Sequence, residues 1–176
     1  YDPYLIYTGA ELAYLAYSVN SGNSYSGNYF LLMNNIDLCG IEWTPIGVGS
    51  NYSRFETAFR GNFDGQFHTI LGLNITQTTS NNIGLFGSLY NATVQNLQIS
   101  EGYLAVEQQS SIAAGLLVGS IDGNSTVNHV FVSGEVSARQ MSSGICCVGL
   151  VVGHVYYNGA SVVKNIVAIG SVTGYS

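Results

Sequence analysis

Charge is what this chain has least of: 8% of its 176 residues are Asp, Glu, Lys or Arg, against roughly a quarter in an ordinary soluble protein. Only Arg54, Arg60, Arg139 and Lys164 are basic, they are scattered, and the net charge is -6. Nucleic acid needs clustered Lys and Arg to displace counterions, so it is excluded as a partner, and an anionic membrane surface is disfavoured for the same reason. Residues 65–100 and 140–163 carry no charged side chain, yet glycine and polar residues interrupt both, so neither is an apolar run of membrane-spanning length. The most apolar piece, ICCVGLVVG over 145–153, reads as one buried strand. Cysteine is also scarce: Cys39, Cys146 and Cys147 are too few and too odd in number for a disulfide framework. They are candidate intermolecular thiols, with buried free thiols as the plainer alternative. There is no initiator Met and no signal-like start, as expected of a mature product or fragment.

What is abundant is glycine, 22 residues, and tyrosine, 13. One domain is expected at this length. In YTGAELAYLAYSVNSG, Thr8 and Glu11 have capping-box spacing and Leu12, Leu15, Ala16 and Val19 recur at helical intervals, which predicts a helix over about 10–19. After Gly27 the helical period disappears. Segments 29–38, 56–63, 67–75, 92–99, 126–136 and 162–172 are short, β-branched and partly alternating, and turn residues separate them.

Three segments then repeat. They begin at Gly84 (GLFG), Gly115 (GLLVG) and Gly149 (GLVVG), and the following strands begin at Val94, Val127 and Val163. A strand-and-turn repeat of this length, without helices, predicts an all-β solenoid of coils stacked at about 4.8 Å, with repeats over about 84–114, 115–148 and 149–176. Leu85, Leu116 and Leu150 are expected to form one inward ladder; Leu97, Val130 and Ile166 form another. Gly84, Gly87, Gly115, Gly119, Gly149 and Gly153 are then structural corners, where a side chain collides with the neighbouring coil.

These corners resemble the GLUG motif of large bacterial surface proteins, including the region that precedes the protease domain of immunoglobulin A-cleaving metalloproteases. The upstream block, with a TxxEL helix start, YFLLMNNIDL, EWTPIG and FRGNFDGQFHTILGLNI, is similar to the segment that precedes such repeats. Asn35 departs from the pattern, which favours Asp, and Cys146-Cys147 stands where Val or Gly is usual. The resemblance covers about residues 8–174 and implies a right-handed parallel β-helix-like solenoid used as extracellular stalk or adhesive architecture.

The catalytic inventory is thin. Glu101 and Glu135 fall two positions out of register, which argues against a glycosidase pair. His68, His129 and His154 occupy different repeat positions, which argues against a metal site; His68 reads as a hydrogen-bonded structural residue, and the other two as surface or turn groups. No serine sits in a nucleophile elbow, and no cofactor is implied. Asn51, Asn74, Asn91 and Asn124 head N-glycosylation sequons, a number close to chance for this composition.

A solenoid has two end coils whose edges need cover. The helix suits one end; at the other the last strand carries no polar cap, so a continuing chain or another molecule is expected there. The expected function is a noncatalytic extracellular or cell-surface structural or adhesive module. Its partners are further repeats of a longer chain or itself, in a head-to-tail fibre joined through an N-terminal arm over 1–7 (Tyr1, Tyr4, Leu5, Ile6 and Tyr7), separate from the solenoid over 8–176. The alternative is a module binding surface glycans through Tyr103, Tyr156 and Tyr157; a glycan-active enzyme comes third.

Overall fold

A computed structural model describes residues 2–48 and 57–175. Near the N-terminus, β1 (Tyr4–Ile6) leads into helix α1 (Gly9–Asn20), followed by β2 (Tyr29–Leu32) and β3 (Ile36–Asp37). The helix starts where its capping box closes: the Glu11 amide donates to the Thr8 hydroxyl, and the Glu11 carboxylate accepts from the Thr8 amide. Its inner face, Leu12, Leu15, Ala16 and Val19, is buried on the end of the core. Asn20 ties it down, donating to the Pro45 carbonyl and accepting from the Gly47 and Val48 amides.

The next turn supplies β4 (Asn62–Asp64), β5 (Thr69–Leu71) and β6 (Asn74–Ile75). Of the strand expected over 56–63, residues 62–63 fall in β4, Phe59 bridges to Leu89, and residue 56 lies outside the described residues. Three regular coils follow, each short, short, long: β7 (Asn82–Ile83), β8 (Phe86–Tyr90) and β9 (Thr93–Gln108); β10 (Ile112–Ala114), β11 (Val118–Asp122) and β12 (Thr126–Gln140); β13 (Cys146–Val148), β14 (Val152–Val155) and β15 (Val162–Tyr175). All pairing is parallel, and the strands stack as a β-solenoid of about four turns. One sheet runs β1-β2-β4-β9-β12-β15, a second β8-β11-β14 and a third β7-β10-β13.

The register follows the repeat. Val127 pairs with both Val94 and Val163, and Val130 with both Leu97 and Ile166. The Leu85 amide donates to Leu116 and the Leu116 amide to Leu150, which completes the other expected ladder. Phenylalanines fill the N-terminal half of the core: Phe30, Phe59 and Phe86 form a chain of ring contacts at 5.7 and 5.3 Å, with Phe63 edge-on to Phe86.

Two expectations are corrected. Residues 145–153 are not one buried strand but β13 and β14 on either side of a corner at 149–151, and both strands are only half-buried because no further coil covers them. The N-terminal segment does not stand apart as an arm. Tyr4, Leu5 and Ile6 pair with Phe30, Leu31 and Leu32 of the same chain, and Tyr4 stacks on Phe30 at 4.9 Å, because Ile6 gains burial as the first rung. Tyr1 lies outside the described residues.

Candidate functional site

The repeat corners, GLFG, GLLVG and GLVVG, are places of close backbone approach. A β-carbon on Gly115 would come within 2.7 Å of the Val151 carbonyl oxygen, and one on Gly87 within 2.5 Å of the Gly47 carbonyl oxygen. Gly84 meets Gly115 in the same way, Gly119 meets Ile83, and Gly153 meets Ala114, whereas Gly149 closes on its own corner at Val152. Gly149 apart, the space each side chain would need is occupied by a neighbouring coil. A second glycine ladder, Gly102–Gly134–Gly170, crosses the long strands, and sequence reading missed it. It lies beside a bulge in which Ser100 and Glu101 of β9 oppose one residue of β12. Equal spacing of Gly134 and Gly170 after Val127 and Val163 is the signal that would have found it.

Polar side chains pin coil to coil. Asp64 accepts from the Gln66 amide at 2.9 Å, the Gln95 side chain at 2.8 Å and the Asn96 side chain at 3.1 Å. Burial pushes the Asp64 carboxyl up, but these donors outweigh it and hold it below its ordinary value. Glu42 does the same for the next turn: burial raises its carboxyl, and the Gln77 amide, Thr76 hydroxyl and Thr76 amide hold it low. Asn91 accepts from the Asn124 amide, and Asn124 in turn from the Ala160 amide, a ladder down one corner. Such groups tie one coil to the next and set register.

The acids and histidines stay apart. Glu135 pairs with Tyr103 rather than with Glu101, which occupies the bulge with φ 54°. The His68 Nδ1 lies 3.3 Å from the Asn35 side-chain oxygen, and Asn35 also accepts from the Thr69 amide. His129 is a corner residue within β12, with φ 51°, in line with Asn96 and Asn165 at φ 52° and 55°. His154 is a strand residue of β14, beneath which Ser120 and Ser88 form a buried hydroxyl pair at 3.1 Å. Among the described residues no three His, Cys, Asp or Glu side chains cluster where they could hold a metal.

All three cysteines are free: Cys39 is exposed, and Cys146 and Cys147 are half-buried in β13. Burial, with the neighbouring Cys146 adding to it, pushes the Cys147 thiol up, the opposite of what a thiolate nucleophile needs. Cys147 and His154 share the wall of a 260 Å³ cavity with Asn82 and Tyr156. The tyrosines expected as a glycan platform are dispersed: Tyr103 is in β9, Tyr156 packs edge-on to His154 at 4.2 Å, and Tyr157 stands 93% exposed at a loop tip. Of the sequon residues, Asn91 and Asn124 are exposed in turns, Asn74 is partly buried in β6 with its amide 3.4 Å from Glu42, and Asn51 lies outside the described residues.

The two ends of the solenoid differ. At the C-terminal end Val163 is 41%, Val172 45% and Val155 48% exposed, while their counterparts one coil earlier, Val127, Val136 and Ile121, are at most 1% exposed. At the N-terminal end, α1 covers the core. No helix among the described residues is long and apolar enough to cross a membrane.

No family model matches the chain, and no solved structure matches it. A protein of Evansella cellulosilytica named as a Gly-rich membrane protein is 36% identical over 132 residues, covering 70% of this chain and 13% of that protein. Halomucin of Haloquadratum walsbyi is 29% identical over 149 residues, covering 82% of this chain and 2% of that protein. This chain is therefore similar to a small part of each of two much longer proteins.

Proposed function

We propose that this chain is a noncatalytic structural module of a cell-surface or extracellular protein: the capped start of a GLUG-type solenoid stalk whose coils continue beyond β15. The observation that carries the reading is the last coil. Val155, Val163 and Val172 have the inward apolar pattern of an interior coil, and they are 41–48% exposed where the preceding coil's equivalents are buried. An end coil that faces water needs a polar outer face. The two relatives support the reading, since one is named a membrane protein and the other a halomucin, and each is many times longer. Continuation needs no rearrangement, because a new strand extends β15 in the same parallel register. The head-to-tail fibre would instead seat α1 of one molecule against β13–β15 of another.

Appending a copy of residues 140–175 after Tyr175 tests this, because residue 140 is the next position in register after Arg139, which pairs with Tyr175. The expected result is that amides of β15, which exchange faster than those of β12 in the 176-residue chain, slow by at least about tenfold, and that Tm rises. Equal protection of β12 and β15 in an unextended monomer, or turnover of a polysaccharide by the chain, would overturn the reading.

A further inference from the structure

The cap helix is apolar on both sides. Its inner stripe, Leu12, Leu15, Ala16 and Val19, is buried on the core. Its outer stripe is Ala10, Ala13, Tyr14 and Tyr17, with Tyr14 66% and Tyr17 70% exposed. A capping element that faces water carries a polar outer face, so a second apolar stripe on such a helix calls for cover. The helix has one charged residue, Glu11, and its carboxylate is turned back onto the Tyr7 and Thr8 amides at 2.7 and 3.0 Å. Beside α1 runs β1, an edge strand with Tyr4, Leu5 and, just beyond it, Tyr7 exposed by 43–49%. Between helix and strand lies an apolar groove of 340 Å³ whose walls include Tyr4, Ala10, Tyr14, Tyr25 and Phe30.

We propose that this face binds a second copy of the chain, cap to cap, about a two-fold axis. The sequence of the stripe is self-complementary under that symmetry. An axis passing between positions 13 and 14, with the two helices antiparallel, sets Ala13 against Tyr14 of the other copy and Ala10 against Tyr17, so each ring meets a hollow left by a methyl group. Ala10 borders the groove, which has room for a phenol ring. Antiparallel helices also oppose their macrodipoles favourably. The area is of the right order: at about 200 Å² per tyrosine, the exposed parts of Tyr4, Tyr7, Tyr14 and Tyr17 offer on the order of 450 Å². With Leu5, Ala10, Ala13 and the open strand edge, each copy approaches the roughly 800 Å² that a partner contributes to a stable interface.

The inference rests on the N-terminal cap and stands apart from the continuation of coils at the other end. It is tested by light scattering and sedimentation of the 176-residue chain at about 100 µM, a concentration at which an interface of standard size is populated. The wild-type chain is expected to be a dimer. Ala13→Arg, at an exposed position, gives a monomer with unchanged circular dichroism, and Tyr17→Ser weakens the dimer by at least about tenfold. Val172→Lys on the last coil leaves the dimer intact. A monomeric wild type, a dimer that survives Ala13→Arg, or a dimer lost only with Val172→Lys would each overturn the proposal, the last placing the joint at the open coil.

Discussion

Gly134 stacks on Gly102 so closely that a β-carbon on Gly134 would overlap the Gly102 carbonyl oxygen, and Gly134 holds φ 150°. No rotamer relieves that overlap, because the obstacle is backbone. Gly134→Ala is therefore expected to cost at least about 3 kcal/mol or prevent folding. Gly9→Ala at the helix start, where the nearest atom is 3.5 Å away on the Leu38 side chain, should be neutral or slightly stabilising. Urea denaturation of both variants checks the pair; equal stabilities would remove the close approach from the account of the fold.

His129 is held in the left-handed region at φ 51° and is exposed. Because the constraint lies in the backbone, His129→Gly is expected to be neutral or to gain a few tenths of a kcal/mol. His129→Val, whose branched side chain disfavours that conformation, should lose about 1–2 kcal/mol. Thermal melts distinguish these outcomes, and a large loss in His129→Gly would point to a role for the imidazole.

Acid should weaken the pins between coils. Asp64 and Glu42 have folded-state values below their ordinary ones, so they contribute stability above the unfolded carboxylate range, and that contribution is lost as pH falls through the depressed values. Tm is expected to fall below about pH 4, less steeply in Asp64→Asn, which is itself destabilised by about 1–2 kcal/mol at pH 7 because its single side-chain oxygen cannot accept from both the Gln66 amide and the Gln95 side chain, which reach different carboxylate oxygens. A Tm profile of Asp64→Asn parallel to wild type would show that Asp64 contributes nothing to the acid limb.

Thiol reactivity should rank by exposure and acidity. Cys39 is exposed and Cys147 is half-buried with its thiol pushed up, so iodoacetamide at pH 8 should label Cys39 at least about tenfold faster in the folded chain. Peptide mass spectrometry over time measures both rates. Faster labelling of Cys147 would contradict the environment described for β13.

The ladders were legible because a stacked coil repeats its chemistry: Val94, Val127 and Val163 head strands of the same pattern, 33 and 36 residues apart, with the difference taken up in the turns, and the glycines of GLFG, GLLVG and GLVVG marked where coils nearly touch. The helix was legible from Thr8 and Glu11. Other features were hidden because hydropathy does not encode direction. ICCVGLVVG reads as one apolar strand, yet the chain turns at 149–151, and the turn depends on where the preceding coil offers hydrogen bonds. Likewise His129 lies in a strand-like run, and only the corner geometry shared with Asn96 and Asn165 reveals its φ.

By itself the sequence determined the coil, its period, its inward residues and its glycine corners, since each follows from local spacing and from the absence of a side chain. The tertiary structure alone decided what the ends expose. Tyr4 to Ile6 became a rung because Phe30 and its neighbours lie one strand spacing away, α1 turned one apolar stripe inward and left the other outside, and the valines of the last coil are uncovered because burial depends on the neighbouring coil as well as on the residue itself.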